Sequence, residues 1–139
     1  MNVLIADDNP TFRSTLKRVL ASKPYIDKVW EAKDGEEAVR IAREIRPDVV
    51  LIDLAMPKID GLEATRLIKD RQPFILVIVF SAHDESIYHK AARACGADRF
   101  IPKSECIVQL ESPGTLQRAE SSSGLRGVKP RWIDGEAAE

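Results

Sequence analysis

The chain has 139 residues, a length typical of one domain of ordinary size. Apolar residues make up 44% and charged residues 31%, which excludes a disordered or fibrous class. The net charge of −1 gives no electrostatic reason to expect nucleic acid or a membrane surface as a partner. No apolar run has the length of a membrane span, and the amino terminus carries no leader pattern. Cys95 and Cys106 lack metal-ligand spacing, so we expect free thiols and a cytoplasmic protein.

Short apolar runs alternate with amphipathic stretches, a pattern typical of βαβ units and a parallel sheet. The predicted strands are residues 3–6, 28–32, 49–52, 75–80 and 99–101. The first, third and fourth are rich in Val and Ile and are expected to be buried on both faces. The second is more mixed in character and suits an edge of the sheet.

Helix patterns separate these strands. Asn9 and Asp34 are expected to cap the first and second helices. A third helix is predicted over residues 62–70, and a fourth follows Asp84 and ends at Gly96. The buried face of the fourth helix is expected to comprise Ile87, Ala91, Ala94 and Cys95.

The order of the elements predicts an α/β fold with a doubly wound parallel sheet and right-handed crossovers. Ligands bind beyond the carboxyl ends of the strands in such sheets. Asp7 and Asp8 follow the first strand, Asp53 the third, Ser81 the fourth, and Lys103 comes shortly after the fifth. Each residue alone has an ordinary explanation, such as a helix start or an exposed strand end. Together they predict one polar crevice at this edge of the sheet.

The predicted crevice would collect three carboxylates, which repel one another unless a cation lies among them. A hard divalent ion such as Mg²⁺ suits these oxygen ligands. A carboxylate can also act as a nucleophile and form an aspartyl-phosphate, with a metal and a lysine neutralising the transferred group. Asp53 is the predicted nucleophile because it ends a central strand, and Asp7 and Asp8 are the predicted metal holders.

Several short motifs carry a resemblance to a known family. They lie at residues 5–9 (IADDN), 52–57 (IDLAMP), 60–61 (DG), 80–82 (FSA), 96–98 (GAD) and 102–104 (PKS). In this order they resemble the receiver family, the CheY-like domain of two-component response regulators, over residues 2–104. The resemblance implies a five-stranded, flavodoxin-like sheet with strand order 2-1-3-4-5.

The resemblance also implies roles for individual residues. Asp53 would accept a phosphoryl group from a sensor histidine kinase, a phosphotransfer protein or a small donor such as acetyl phosphate. Mg²⁺ would be held by Asp8, Asp53 and the backbone carbonyl of Ala55, and by Asp7 through water. Lys103 would pair with the phosphoryl oxygens.

The same resemblance implies a switch and a control of lifetime. Ser81 would move to hydrogen-bond the phosphate, and Phe100 would turn inward. Phe100 stands where Tyr is common. Ser104 follows Lys103, whereas many receivers have Pro at that position. The Pro-Lys-Ser form resembles receivers of the NarL/LuxR type. Ala55 and His83 occupy positions that tune dephosphorylation, although His83 could equally be a solvated loop residue.

The end of the chain departs from the family pattern. The fifth helix is predicted to be short, over residues 104–111, with Ile107 and Leu110 as anchors and Pro113-Gly114 as its break. We place a receiver domain at residues 1–111 and a polar tail at 112–139, which is either disordered or packed back. A partner could also cover the part of the sheet that a longer fifth helix would bury. A homodimer through the fourth-helix and fifth-helix side is expected.

Three other side chains have simpler interpretations. His89 is predicted to be a surface residue of the fourth helix, and Trp30 is predicted to be a packing residue. Trp132, in the polar tail, is either a docking anchor or part of an unstructured segment.

These patterns predict a single-domain response regulator that signals to a downstream protein and is not an enzyme with a separate substrate. One alternative is a degenerate receiver that acts only as a binding module, and another is the receiver part of a transcription factor. The tail has fewer than 30 residues, which is too short for a helix-turn-helix domain. An aspartate-based hydrolase is disfavoured, because such enzymes have a second Asp at the position of Ala55.

Overall fold

Strands and helices alternate strictly along the chain in a computed structural model that describes residues 1–83, 85–112 and 114–117. The strands are β1 (Asn2–Ala6), β2 (Lys28–Ala32), β3 (Val49–Asp53), β4 (Leu76–Ser81) and β5 (Arg99–Pro102). The α-helices are α1 (Pro10–Ala21), α2 (Gly35–Ile45), α3 (Gly61–Arg71), α4 (Ser86–Ala94) and α5 (Cys106–Glu111). A single 3₁₀ turn, Lys103–Glu105, joins β5 to α5. Within these described residues, no helix is long and apolar enough to cross a membrane.

The five strands form one parallel sheet in the order β2-β1-β3-β4-β5, which confirms the predicted doubly wound arrangement. The register pairs Ala6 with Ile52, and Asp53 with Phe80. The ends of β1, β3 and β4 therefore meet at one edge of the sheet. The residues that directly follow these strands are brought to the same place by the backbone alone.

Both faces of the sheet are covered, so the core has two parts. Leu4, Val50 and Val77 belong to the cluster on one face, whereas Val3 and Leu51 belong to the cluster on the other. Alternate residues of a strand point to opposite faces, so a strand buried on both faces must be apolar at successive positions. This explains why the central strands contain continuous runs of Val, Ile and Leu. Strand β2 is more exposed, as predicted for an edge.

Capping side chains set the start of three helices. Asn9 Oδ1 accepts hydrogen bonds from the backbone N–H groups of Thr11 and Phe12 at 2.9 and 3.1 Å. Asp34 and Asp60 each accept one such bond in the first turn of α2 and α3, at 2.8 and 2.9 Å. The side-chain oxygen satisfies N–H groups that have no partner inside the helix. The predicted caps at Asn9 and Asp34 are confirmed.

The predicted buried face of α4 was wrong for two of its four residues. Ile87 is 68% exposed and Ala94 is exposed, whereas Ala92 is completely buried. Tyr88, not Ile87, packs against the core cluster that contains Phe100. Helix α4 is therefore rotated about its axis relative to the prediction. This orientation is favoured because the large ring of Tyr88 removes more apolar surface from water than Ile87 would.

The chain after α5 returns to the body of the protein. Leu110 is 1% exposed and Leu116 is 5% exposed, and both belong to the core cluster on the α1 side of the sheet. Thr115 Oγ1 donates a hydrogen bond to the carbonyl of Gln109 at 2.6 Å. The fifth helix is short, as predicted, and the turn after it covers part of the same face. Trp132 lies outside the described residues.

Candidate functional site

Three carboxylates converge at the carboxyl edge of the sheet. One oxygen each from Asp7, Asp8 and Asp53 lies within 4.8 Å of the oxygens of the other two. Asp7 is completely buried and Asp53 is 5% exposed, whereas Asp8 faces solvent. The predicted acidic cluster is therefore formed, with one side open to water.

The turn between β1 and α1 fixes the orientation of Asp7. Its Oδ1 accepts a hydrogen bond from the backbone N–H of Asn9 at 2.8 Å, and its backbone carbonyl accepts one from Arg13 Nη1 at 2.7 Å. Arg13 Nε is also paired with Glu31 at 3.0 Å. Sequence reasoning missed Arg13, although its position one turn after the Asn9 cap places it beside the acidic turn.

The ammonium group of Lys103 lies between the two buried carboxylates. Its Nζ is 2.9 Å from Asp7 Oδ2 and 3.3 Å from Asp53 Oδ2, and it donates a hydrogen bond to Asp53. The contact with Asp7 is an ion pair without hydrogen-bond geometry. Asp7 Oδ2 is buried and accepts no hydrogen bond from the described residues. Two buried carboxylates around one ammonium leave unbalanced negative charge, which fits a site built to hold a further cation.

The charges of the site perturb one another. Burial, followed by the repulsion of Asp7, raises the pKa of Asp53 to about 6, against the opposing effects of Lys103 and of a hydrogen bond from the Ala55 N–H. Burial lowers the pKa of Lys103, but its contacts with Asp7 and Asp53 outweigh burial and raise it. Burial also raises the pKa of the nearby Cys106 to about 12, so its thiol stays protonated.

The loop between β3 and α3 is held close to the site by two glycines. A Cβ atom at Gly35 would overlap the carbonyl of Ile59, and one at Gly61 would overlap the carbonyl of Asp53. Gly61 N–H donates to Leu54 O at 2.7 Å. These close approaches fix the path of the loop that carries Ala55.

An ion pair also ties this loop to the start of α2. Lys58 has a positive φ of 68°, which is costly for a residue with a Cβ atom. Its ammonium lies 3.6 Å from the buried carboxylate of Asp34. Sequence reasoning missed this contact, because the two residues are distant in the chain.

Ser81 lies at the end of β4 and is 2% exposed. Its Oγ accepts a hydrogen bond from the backbone N–H of His83 at 3.0 Å. The His83 side chain is exposed, and its ring centroid lies 5.5 Å from that of Tyr88. The hydroxyl predicted to reach the phosphate is therefore engaged by its own loop in this structure.

Phe100 is already largely buried, with 7% of its surface exposed. The imidazole of His89 lies against it, with 4.1 Å between the ring centroids. His89, predicted as a surface residue, is half-buried, because α4 turns this side chain toward β5. A contact between rings on different elements leaves no local signal in the sequence.

Two aromatic rings complete the surroundings of Lys103. Its Nζ lies 4.6 Å from the ring centroid of Phe12 and 5.9 Å from that of Phe80. The two rings contact each other at 5.5 Å, inclined by 54°. The apolar periodicity of α1 predicts burial for Phe12 but does not indicate a charged neighbour.

Taken together, the acidic cluster, the buried Asp53 and the adjacent ammonium can hold a divalent cation and a phosphoryl group side by side. Their place at the carboxyl edge of a doubly wound sheet of order 2-1-3-4-5 defines a receiver-type α/β protein. Residues 3–112 match the response regulator receiver domain, and the chain belongs to that family.

Known relatives agree with this assignment. The chain is 39% identical over 103 residues to the transcriptional regulatory protein DegU of Brevibacillus brevis, covering 74% of the chain and 44% of that relative. It is 45% identical over 84 residues to a protein-glutamate methylesterase/protein-glutamine glutaminase of Nitrosospira multiformis, covering 60% of the chain and 24% of that relative. The chain thus spans less than half the length of these relatives.

A solved structure shows the same fold. The signal receiver domain of NarL from Mycobacterium tuberculosis superposes with a TM-score of 0.74 at 31% identity. The match covers 78% of this chain and 88% of that one. This similarity agrees with the NarL/LuxR-type features of the sequence around Lys103.

Proposed function

We propose that this protein accepts a phosphoryl group on Asp53 in a Mg²⁺-dependent reaction and transmits the change to a partner protein. One observation carries the proposal: the ammonium of Lys103 lies 3.3 Å from Asp53, within a cluster of Asp7, Asp8 and Asp53 that can bind a metal. Asp8, Asp53 and the carbonyl of Ala55 would hold Mg²⁺, with Asp7 acting through water. The three converging carboxylates carry more negative charge than the single ammonium of Lys103 balances, which supports this arrangement.

In the proposed reaction, a carboxylate oxygen of Asp53 forms a bond to phosphorus while the bond from phosphorus to the donor breaks. The donor is the phosphohistidine of a sensor histidine kinase or phosphotransfer protein, or acetyl phosphate. Lys103 neutralises charge on the transferred group, and Asp53 must be ionised to react. The bound metal would neutralise further charge on the phosphoryl oxygens.

The proposed conformational switch comprises Ser81 and Phe100. Ser81 Oγ, which accepts a hydrogen bond from the His83 N–H, would donate its O–H to a phosphoryl oxygen, and Phe100 would adjust its packing. The exposed side chains of Ile87 on α4 and Val108 on α5, at 68% and 70%, support protein contact or homodimerisation at this side. We place the protein in the cytoplasm, since both cysteines are free.

The described residues form a receiver fold. We propose that its only chemistry is its own phosphorylation and dephosphorylation, with no separate substrate. The receiver domain predicted at residues 1–111 would extend further, since Leu116 is buried in the core. A phosphorylation-independent binding module is the alternative. The complete set of Asp7, Asp8, Asp53, Ser81 and Lys103 supports the phosphoacceptor instead.

The test is to incubate the full chain with Mg²⁺ and acetyl phosphate and to measure its intact mass over time. We expect a mass increase of one phosphoryl group in the wild type and none in Asp53→Asn. Asp48→Asn is the matched control, because Asp48 immediately precedes the same strand at its opposite end. Absence of any increase with acetyl phosphate, or of a response to beryllofluoride, would favour the binding module.

A further inference from the structure

We infer that Phe12 is a positioning residue for Lys103, holding its ammonium group beside Asp53 through the face of the aromatic ring. The Nζ atom of Lys103 lies 4.6 Å from the Phe12 ring centroid, within the range of a cation–π interaction. The inference rests on the proposed phosphoacceptor role of Asp53 and assigns a function to a residue of α1.

The ring of Phe12 is itself held in place. Its backbone N–H donates to the Asn9 cap at 3.1 Å, which fixes the first turn of α1. Its ring packs on Phe80 with 5.5 Å between the centroids. Phe80 is the weaker candidate for holding the ammonium, since its centroid is 5.9 Å from Nζ. Phe12 therefore presents a fixed surface to a lysine whose long side chain is otherwise flexible.

The proposed reaction gives this surface a purpose. Lys103 is paired with Asp7 and Asp53, but the reaction changes both partners: Asp7 would turn to the metal, and Asp53 would carry the phosphoryl group. The ring of Phe12 is unchanged by either event. It is therefore a partner that keeps the ammonium near Asp53 before and after transfer. The side chain of Lys103 is only 22% exposed, and partial desolvation strengthens such a contact.

The simpler interpretation is that Phe12 only fills the core, since its side chain packs against the cluster that contains Leu16. The two roles differ in what they require. Packing depends on the volume of the side chain, whereas attraction of an ammonium depends on the electron density of the ring face. A series of fluorinated phenylalanines changes the second property with little effect on the first.

The experiment uses the full chain with one, two or three fluorine atoms on the Phe12 ring, incorporated site-specifically. We expect the rate of Asp53 phosphorylation by acetyl phosphate to fall with each fluorine, to about fivefold to tenfold below wild type. The phosphorylation rate of Phe12→Leu should be reduced equally. The free energy of unfolding of the fluorinated proteins and their Mg²⁺ affinity should stay constant. The same series at Phe74, which is 88% exposed, is the matched control.

A second readout is independent of phosphorylation. In the metal-free protein, the ε-methylene protons of Lys103 should show an upfield ring-current shift by NMR, which Phe12→Leu should abolish. Rates that stay flat across the series, or that fall only in proportion to stability, would overturn the inference, as would an unshifted ε-methylene signal. A wild type that takes up no phosphate would instead reject the proposed function, while the NMR signal would still decide the position of Lys103.

Discussion

The imidazole of His89 lies against the ring of Phe100, with 4.1 Å between the centroids and 38° between the ring planes. This contact joins α4 to β5 at the residue proposed as the switch. Phe100 is 7% exposed, so it already occupies a largely buried position. A rearrangement of Phe100 must therefore alter its packing on α4 as well as its environment near Ser81.

Replacing His89 by Ala should loosen Phe100. We expect the free energy of unfolding to fall by about 1 kcal/mol, since paired rings contribute about that amount beyond their buried area. The NMR signals of Phe100 should also shift in the protein without beryllofluoride, and should change less when beryllofluoride is added. Lys90→Ala, on the exposed side of the same helix, is the control. Wild-type Phe100 signals in His89→Ala would contradict this role.

The raised pKa of Asp53 predicts a pH-dependent stability. The folded protein binds the Asp53 proton with a pKa of about 6, against 3.8 for an unperturbed carboxyl. Ionisation therefore destabilises the fold as the pH rises through this window. Without metal, Asp53→Asn should raise the free energy of unfolding by about 1 to 3 kcal/mol near neutral pH, and by almost nothing below about pH 4. Urea denaturation across this range is the measurement, and a pH-independent difference would refute the assignment.

The contact between Gly35 and Ile59 predicts that the site depends on a glycine far from it in sequence. A Cβ atom at position 35 cannot be accommodated without moving the loop that carries Ala55. Gly35→Ala should lower the free energy of unfolding by about 1 to 3 kcal/mol and weaken Mg²⁺ binding. Arg43→Ala is the control, since Arg43 is exposed on the same helix. Unchanged Mg²⁺ affinity in Gly35→Ala would show that the loop position is not set here.

His83 offers a test of phosphoryl-group lifetime. Its backbone N–H donates to Ser81 Oγ, and its exposed side chain lies beside Tyr88. We expect the phosphoryl group of His83→Ala to be hydrolysed faster than that of the wild type, because the alanine side chain would shield it less from water. Loss of the label from purified phosphoprotein gives the rate, and equal rates would remove His83 from the mechanism.

The turn after α5 predicts that the folded unit extends past residue 111. Leu116 is 5% exposed within a core cluster, so Leu116→Ala should cost about 2 to 4 kcal/mol of stability. Val108 is 70% exposed on α5, and Val108→Ala should change stability little. Thermal or urea denaturation compares the two. If Leu116→Ala and Val108→Ala were equally stable, the domain boundary would lie at residue 111, as the sequence predicts.

The sequence by itself determined the elements and the chemistry of the site. A strand buried on both faces must be apolar at every position, so β1, β3 and β4 are visible as runs of Val, Ile and Leu. Parallel pairing then brings the residues after these strands to one edge, which is enough to predict that Asp7, Asp8 and Asp53 meet. The capping residues Asn9 and Asp34 are equally local signals.

Only the tertiary structure decided how neighbouring elements meet. The rotation of α4 that buries Ala92 and turns His89 toward Phe100 depends on competition between side chains for the same surface. The place of Lys103 against Phe12 joins residues from opposite ends of the domain, and no periodicity in either segment records it. Local patterns fix which face of a chain is apolar, but packing between elements fixes which atoms touch.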